Sequence, residues 1–151
     1  MNKNYGKFFG MIATSAIFMF IVMYLNTYKF DHIFFSEERL YMTILSTSVM
    51  AVVMLLFMLH MLKNKKMNIA IVVVSVLVFT SSLFLMRNQT TMDDEDYMEG
   101  MIPHHSIAIL TSERANISDP RVRKLADEII KAQRKEIAEM KKLIEDIKNE
   151  D

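Results

Sequence analysis

Three long apolar stretches come first in the chain, and two amphipathic patterns follow them. Residues 8–25, 41–62 and 68–86 carry almost no charge in their interiors. Each has the roughly 17–25 residues a helix needs to cross a hydrocarbon core. A helix is also the form that satisfies its backbone polar groups in lipid. The pattern therefore predicts a membrane anchor of three transmembrane helices over 1–87, inserted in a lipid bilayer. Residues 88–92 read as a polar connector. Apolar positions then recur at helical spacing from Asp93 to about Ala115, pause at Asn116-Ile117-Ser118-Asp119-Pro120, and resume to about Lys148. Asp119 or Ser118 suits an N-cap there, with Pro120 at the first helical position. Val122, Leu125, Ala126, Ile129, Ile137, Met140, Ile144 and Ile147 form the apolar stripe of the second helix, spaced at threes and fours. Two helices with a short connection fold back antiparallel.

The expected fold is thus all-α: three transmembrane helices followed by an extracytoplasmic two-helix hairpin over 93–151. Below roughly 70 residues a core usually needs help from a metal, a disulfide or self-association. The chain has no cysteine, which excludes a disulfide. A homodimer that completes a four-helix bundle is the expected solution. The first span is expected to be a retained anchor rather than a cleaved signal, because Leu25-Asn26-Thr27-Tyr28 offers no small-x-small cleavage site.

Charge sets the orientation. Lys3 and Lys7 precede the first span, and Lys63, Lys65 and Lys66 lie between the second and third. The loop after the first span has only Lys29 and Arg39, mixed with Asp31, Glu37 and Glu38. By the bias of Lys and Arg toward the cytoplasm, the N-terminus is expected inside and the hairpin in the periplasm or outside the cell. The net charge of zero conceals a split. Residues 1–86 hold seven Lys/Arg against three Asp/Glu, and residues 87–151 hold eleven against fifteen. An acidic tail argues against nucleic acid as a partner, since phosphate backbones need a basic face.

The 15 methionines are the unusual feature of the composition. Met50, Met54, Met58 and Met61 recur along one side of the second span. Packing is the favoured explanation, because methionine is a flexible apolar filler, and a thioether ladder for metal ions is the alternative. His60 fits a polar group reaching the interface, and His32 is assigned no role.

In the hairpin, Asp94, Met98, Met101 and His105 share a narrow sector of the first helix at about 100° per residue, with His104 to one side. Gln133, Glu136 and Met140 share the apolar sector of the second. Counting outward from the turn, Gln133 is expected level with Met101, Glu136 level with Met98, and His105 near Ile129 and Gln133. Thioether sulfur is soft and neutral and selects Cu(I) over Zn(II) or Mg(II). It needs no deprotonation and forms no disulfide, which suits an oxidising compartment. Imidazole serves either copper oxidation state, and Asp94, Gln133 or Glu136 can orient a ligand from behind. Pro103 supplies a possible bend between the donors. The same pattern also describes a core that happens to contain Met and His, and spacing alone leaves both readings open.

Asp94-x-x-Tyr97-Met98-x-x-Met101-Ile102-Pro103-His104-His105-x-x-Ala108-Ile109 resembles the signature of the bacterial domain-of-unknown-function family 305, also called CopM-like. Asp119-Pro120-x-Val122-x-x-Leu125-Ala126-x-x-Ile129-Ile130-x-x-Gln133-x-x-Glu136-Ile137-x-x-Met140 resembles its second helix. The resemblance covers about residues 93–147. It departs at Thr111 and Leu143, where many members carry Met and Trp. It implies a ferritin-like helical bundle and, as in some members, copper binding and copper resistance outside the cytoplasm. Met101, His104, His105, Met140 and Met98 are the metal ligands it implies, with copper as Cu(I) rather than Cu(II) and no organic cofactor. The expected function is a membrane-anchored extracytoplasmic copper-binding protein that sequesters or transfers metal, at a bacterial cell membrane. A metal transporter or metallochaperone is the partner this implies. The alternative is a non-catalytic helical module that dimerises or docks a membrane partner. No Glu-x-x-His pair, nucleophile elbow or phosphate loop is present, so no enzymatic activity is expected.

Overall fold

The structure, a computed structural model, describes residues 3–150. Its elements are α1 (Lys3–Val22), α2 (Glu37–Phe57), α3 (Lys65–Asn88), α4 (Asp94–Arg114) and α5 (Pro120–Glu150), with a 3-10 turn over Phe30–His32. The described residues contain no strand. Two compact units emerge. One is Met1–Met23 with Glu38–Thr91, and the other is Tyr24–Glu37 with Met92–Asp151.

In the first unit, α1, α2 and α3 are each long and apolar enough to cross a membrane. Most of their apolar side chains point outward: Ile17, Phe18, Leu56, Val74 and Leu77 are all exposed. A water-soluble bundle would bury such residues, whereas a lipid-facing one has no reason to. The inner contacts lie where α1 starts, α2 ends and α3 starts. Tyr5, Phe8, Leu55, Leu62 and Ile71 form the core there, and Met54 and Met58 pack against it. Two members of the Met stripe therefore fill a core. The Tyr5 hydroxyl lies 2.6 Å from Asn68 Oδ1, and the Asn68 amide donates to the Leu62 carbonyl at 2.7 Å. These bonds satisfy polar groups where the chain turns through its lysines. At the opposite ends of the helices, Arg39 is buried and donates to the Met23 carbonyl at 2.7 Å.

In the second unit, α4 and α5 pack along each other as an antiparallel hairpin. Asp93 caps α4, its carboxylate accepting from the Asp96 amide at 2.9 Å, and Asp94, Glu95 and Asp96 fill the first turn. All of these oppose the positive end of the helix dipole. The Asp119 carboxylate accepts from the Arg121 amide at 2.8 Å as α5 begins. Met98, Ile102, Ile109, Ile137 and Ile144 are buried between the helices. Each such side chain stabilises by about 1.5–3 kcal/mol. The helix runs unbroken through Pro103.

The segment between α1 and α2 joins this second unit. Tyr28 and Phe34 pack on the hairpin core. The Lys141 ammonium meets the Asp31 carboxylate at 2.7 Å, and the Ser106 hydroxyl accepts from the Tyr28 amide at 2.7 Å. The segment reaches α4 at Gly100, where a Cβ would meet Ser36 Oγ at an ordinary contact distance of 3.5 Å. The hairpin thus has a third layer, drawn from a loop that is distant in sequence.

Candidate functional site

A pocket of about 640 Å³ opens between α4 and α5. Asp94, Met98, Met101 and His105 reach it from α4, and Glu136 and Met140 from α5. Six of the eight residues singled out by spacing therefore line one cavity. Tyr97, Leu143 and Ile147 supply apolar wall. Helical geometry accounts for the grouping: residues three and four apart fall on one face.

His105 is held in a particular orientation. Its Nδ1 lies 2.8 Å from the Met101 carbonyl, which can only accept, so Nδ1 carries a proton and donates. Its Nε2 lies 2.8 Å from Glu136 Oε2, with one proton between the two atoms. The ring is mostly buried, while the Glu136 carboxylate is half exposed. An Nδ1–H fixed on a backbone carbonyl is a common arrangement of a metal-binding histidine, because it leaves the Nε2 lone pair for a ligand.

Three thioethers, one imidazole and the three carboxylates of Asp94, Glu136 and Glu139 share the cavity, and the sulfurs and imidazole suit Cu(I), the soft cation that the resemblance implies. Met98 is buried, and Met101 and Met140 are half-buried. Among the described residues, no three His, Cys, Asp or Glu side chains converge as a hard-cation site would need. The candidate site therefore rests on its sulfurs.

His104 and Gln133 do not reach this pocket. His104 is exposed. Neighbouring helical residues diverge by about 100°, and the unbroken helix at Pro103 does not bring the two imidazoles together. Gln133 is half-buried outside the cavity, one turn nearer the start of α5 than Glu136. The expected register is also corrected. Glu136 stands opposite His105 rather than Met98, about two turns away. Lys148 pairs with Glu95 at 2.5 Å and Glu99 at 3.2 Å, which fits the same shift. α4 stops at Arg114 and α5 starts at Pro120, within about a residue of the expected bounds, so the offset lies in how the two helices pack and not in the length of the turn. Val122 and Leu125, the first members of the apolar stripe, are consequently exposed.

The structure also gives a role to a histidine left unassigned by spacing. His32 is 7% exposed, and its Nδ1 lies 2.9 Å from Ser106 Oγ. Burial, then the Lys141 ammonium, pushes its pKa below the ordinary histidine value. No local pattern signals this, because its partners come from α4 and α5. Beside Lys141, the Asp31 carboxyl is held below its usual range. Asp96 is pushed the other way, by burial and by the charges of Asp93 and Glu37.

Comparison with known proteins gives one relative and one family. A protein of Acanthamoeba polyphaga mimivirus, described as uncharacterised, is 30% identical over 142 residues, which span 91% of this chain and 93% of that protein. That relative is viral, so its source does not support a bacterial one. No solved structure matches. The family described as domain of unknown function (DUF305) matches residues 85–151, the stretch that carries α4, α5 and the pocket between them. The chain belongs to the DUF305 family.

Proposed function

We propose that this protein is a membrane-anchored binder of a soft metal ion, copper in its Cu(I) state, that sequesters the ion or hands it on. One observation carries the reading. Met98, Met101, Met140 and His105 line a single cavity, and His105 is turned so that Nε2 faces Glu136 across it. Met101, Met140 and His105 would hold the ion, with Met98 behind them. An ion at Nε2 would displace the proton between Nε2 and Glu136 to solvent, and the Glu136 carboxylate would then neutralise part of the positive charge. When bound, the ion would join α4 and α5.

The lysine distribution supports a cytoplasmic N-terminus and an extracytoplasmic hairpin. There, Met and His without Cys are chemically appropriate. A bacterial membrane, a role in copper resistance and a transporter or metallochaperone as recipient are what the family resemblance adds. A second copy of the chain is the expected partner.

The test uses the full chain in detergent, because Tyr28 and Phe34 form part of the hairpin core. Cu(I) affinity is measured by competition with a chromogenic chelator under reducing conditions. The double variant Met101→Leu/His105→Ala is expected to bind at least about 100-fold more weakly. Equal competition by wild type and variant would reject the site.

A second reading is favoured by the exposure of Val122, Leu125, Leu143 and Tyr97. In it, the hairpin is an interaction module that docks a second helical pair. A chain whose self-association is unchanged by metal and by the pocket variants would favour that module.

A further inference from the structure

A second cavity, of about 510 Å³, lies on another face of α5 and shares no residue with the first. Its rim carries Lys29 from the 24–37 segment with Arg134 and Lys141 from α5, and His32 and Tyr28 also line it. Ile109 and Ile137 supply apolar wall. Three cations therefore face one cavity. Arg134 is paired with Glu113 and Lys141 with Asp31, while Lys29 has no ion pair among the described residues. The rim keeps a positive surplus of one. Lysine has three donors and guanidinium five, so the two paired cations retain donors for an incoming oxygen.

His32 adds a buried polar ring. Ser106 Oγ accepts from the Tyr28 amide and lies 2.9 Å from His32 Nδ1. The nearest carboxylate oxygen to Nε2, Asp31 Oδ1, is 3.9 Å away and beyond hydrogen-bond distance. Nε2 can therefore donate to an incoming oxygen when it carries the ring proton. The pKa of His32 is lowered chiefly by burial and then by Lys141, with Asp31 opposing and Lys29 adding a smaller part.

We propose that this cavity binds a phosphate group carried by an organic molecule. Guanidinium and ammonium groups recognise phosphate oxygens, and the His32 ring lines the same cavity. The volume falls within the range of ordinary ligand pockets and leaves space beside the phosphate for an organic part against Ile109 and Ile137. The phosphate comes either from a lipid headgroup or from a soluble phosphate ester. This site stands independently of the Met/His pocket.

The experiment follows the His32 ring by NMR in the full chain, in a neutral detergent at fixed ionic strength. One arm adds glycerol phosphate, and another adds short-chain phosphatidylglycerol beside uncharged diacylglycerol of the same chain length. The expected result is a saturable shift of the His32 signals with a phosphate ligand, and a His32 titration moved to higher pH. Saturation by glycerol phosphate identifies a soluble source, and saturation by the lipid alone identifies a headgroup. Lys29→Gln, on an exposed side chain, is expected to weaken binding about tenfold. Its unliganded His32 titration should move only slightly to higher pH while its backbone amide signals match wild type, which reports an intact cavity. Met101→Leu/His105→Ala should bind phosphate as wild type does. A shift in neither arm, or equal affinity in Lys29→Gln, would overturn the proposal.

Discussion

The hairpin has two faces, and each holds a histidine that is mostly buried. On one face His105 donates to a backbone carbonyl and meets a carboxylate, among thioethers. On the other, His32 meets a hydroxyl, among ammonium and guanidinium groups. The same side chain is thereby prepared for opposite partners. A carboxylate and soft sulfurs favour a cation at Nε2, whereas positive neighbours disfavour any added charge on the ring. Burial is common to both, so the neighbours decide the chemistry.

The largest expected effect tests whether the two faces share one core. Ile102 is fully buried in the cluster that touches Tyr28 and Phe34 as well as Met140 and Ile147. Ile102→Ala should cost about 2–5 kcal/mol. Denaturant unfolding followed by hydrogen exchange should show both faces loosening together. Protection lost on one face alone would mean that the faces are separate structures.

Glu136→Gln comes next. The amide keeps a polar group against His105 but removes the charge. Cu(I) affinity should fall about tenfold or more, while phosphate binding on the opposite face stays unchanged. A loss on both faces would show that the substitution acts through the fold.

The third expectation concerns pH and His32. Its folded pKa lies below the unfolded value of 6.5. Between those two values the unfolded chain binds more protons, so stability is full above about 6.5 and declines as pH falls toward the folded pKa. Thermal unfolding of the full chain should drop over that window, and His32→Asn should flatten the decline. Asp31 acts at lower pH: its folded pKa is depressed, so its contribution is present above 3.8 and fades as pH falls through the folded value. That pair is exposed, and its effect is small.

The smallest effect is a gain. A Cβ at Gly100 meets only Ser36 Oγ, at ordinary contact distance. Gly100→Ala should therefore stabilise the helix by about 0.5–1 kcal/mol, seen as a higher midpoint in denaturant. A loss of stability would mean that the loop packs more tightly on α4 than its Ser36 contact indicates.

Periodicity made much of this legible. Five helices, and a face carrying Asp94, Met98, Met101 and His105, follow from the positions of apolar residues. Met140 and Glu136 were legible too, because they share the opposing stripe. Register was not: a slide of α5 by whole turns keeps every stripe intact, so spacing cannot distinguish Glu136 opposite Met98 from Glu136 opposite His105. Nor was His32 legible. Its partners, Ser106 and Lys141, are 74 and 109 residues further along the chain, and no local pattern encodes such a meeting.

By itself, then, the sequence determined the apolar spans, the hairpin, the absence of thiols and the Met/His face. These are local properties, set by helical period, capping residues and side-chain chemistry. Only the tertiary structure decided that the 24–37 segment forms a layer of the hairpin, that His104 stays outside the pocket, and that His32 lines a second cavity. Those outcomes depend on how surfaces distant in sequence fit. Packing and paired polar groups set that fit, and several registers satisfy the same periodic pattern.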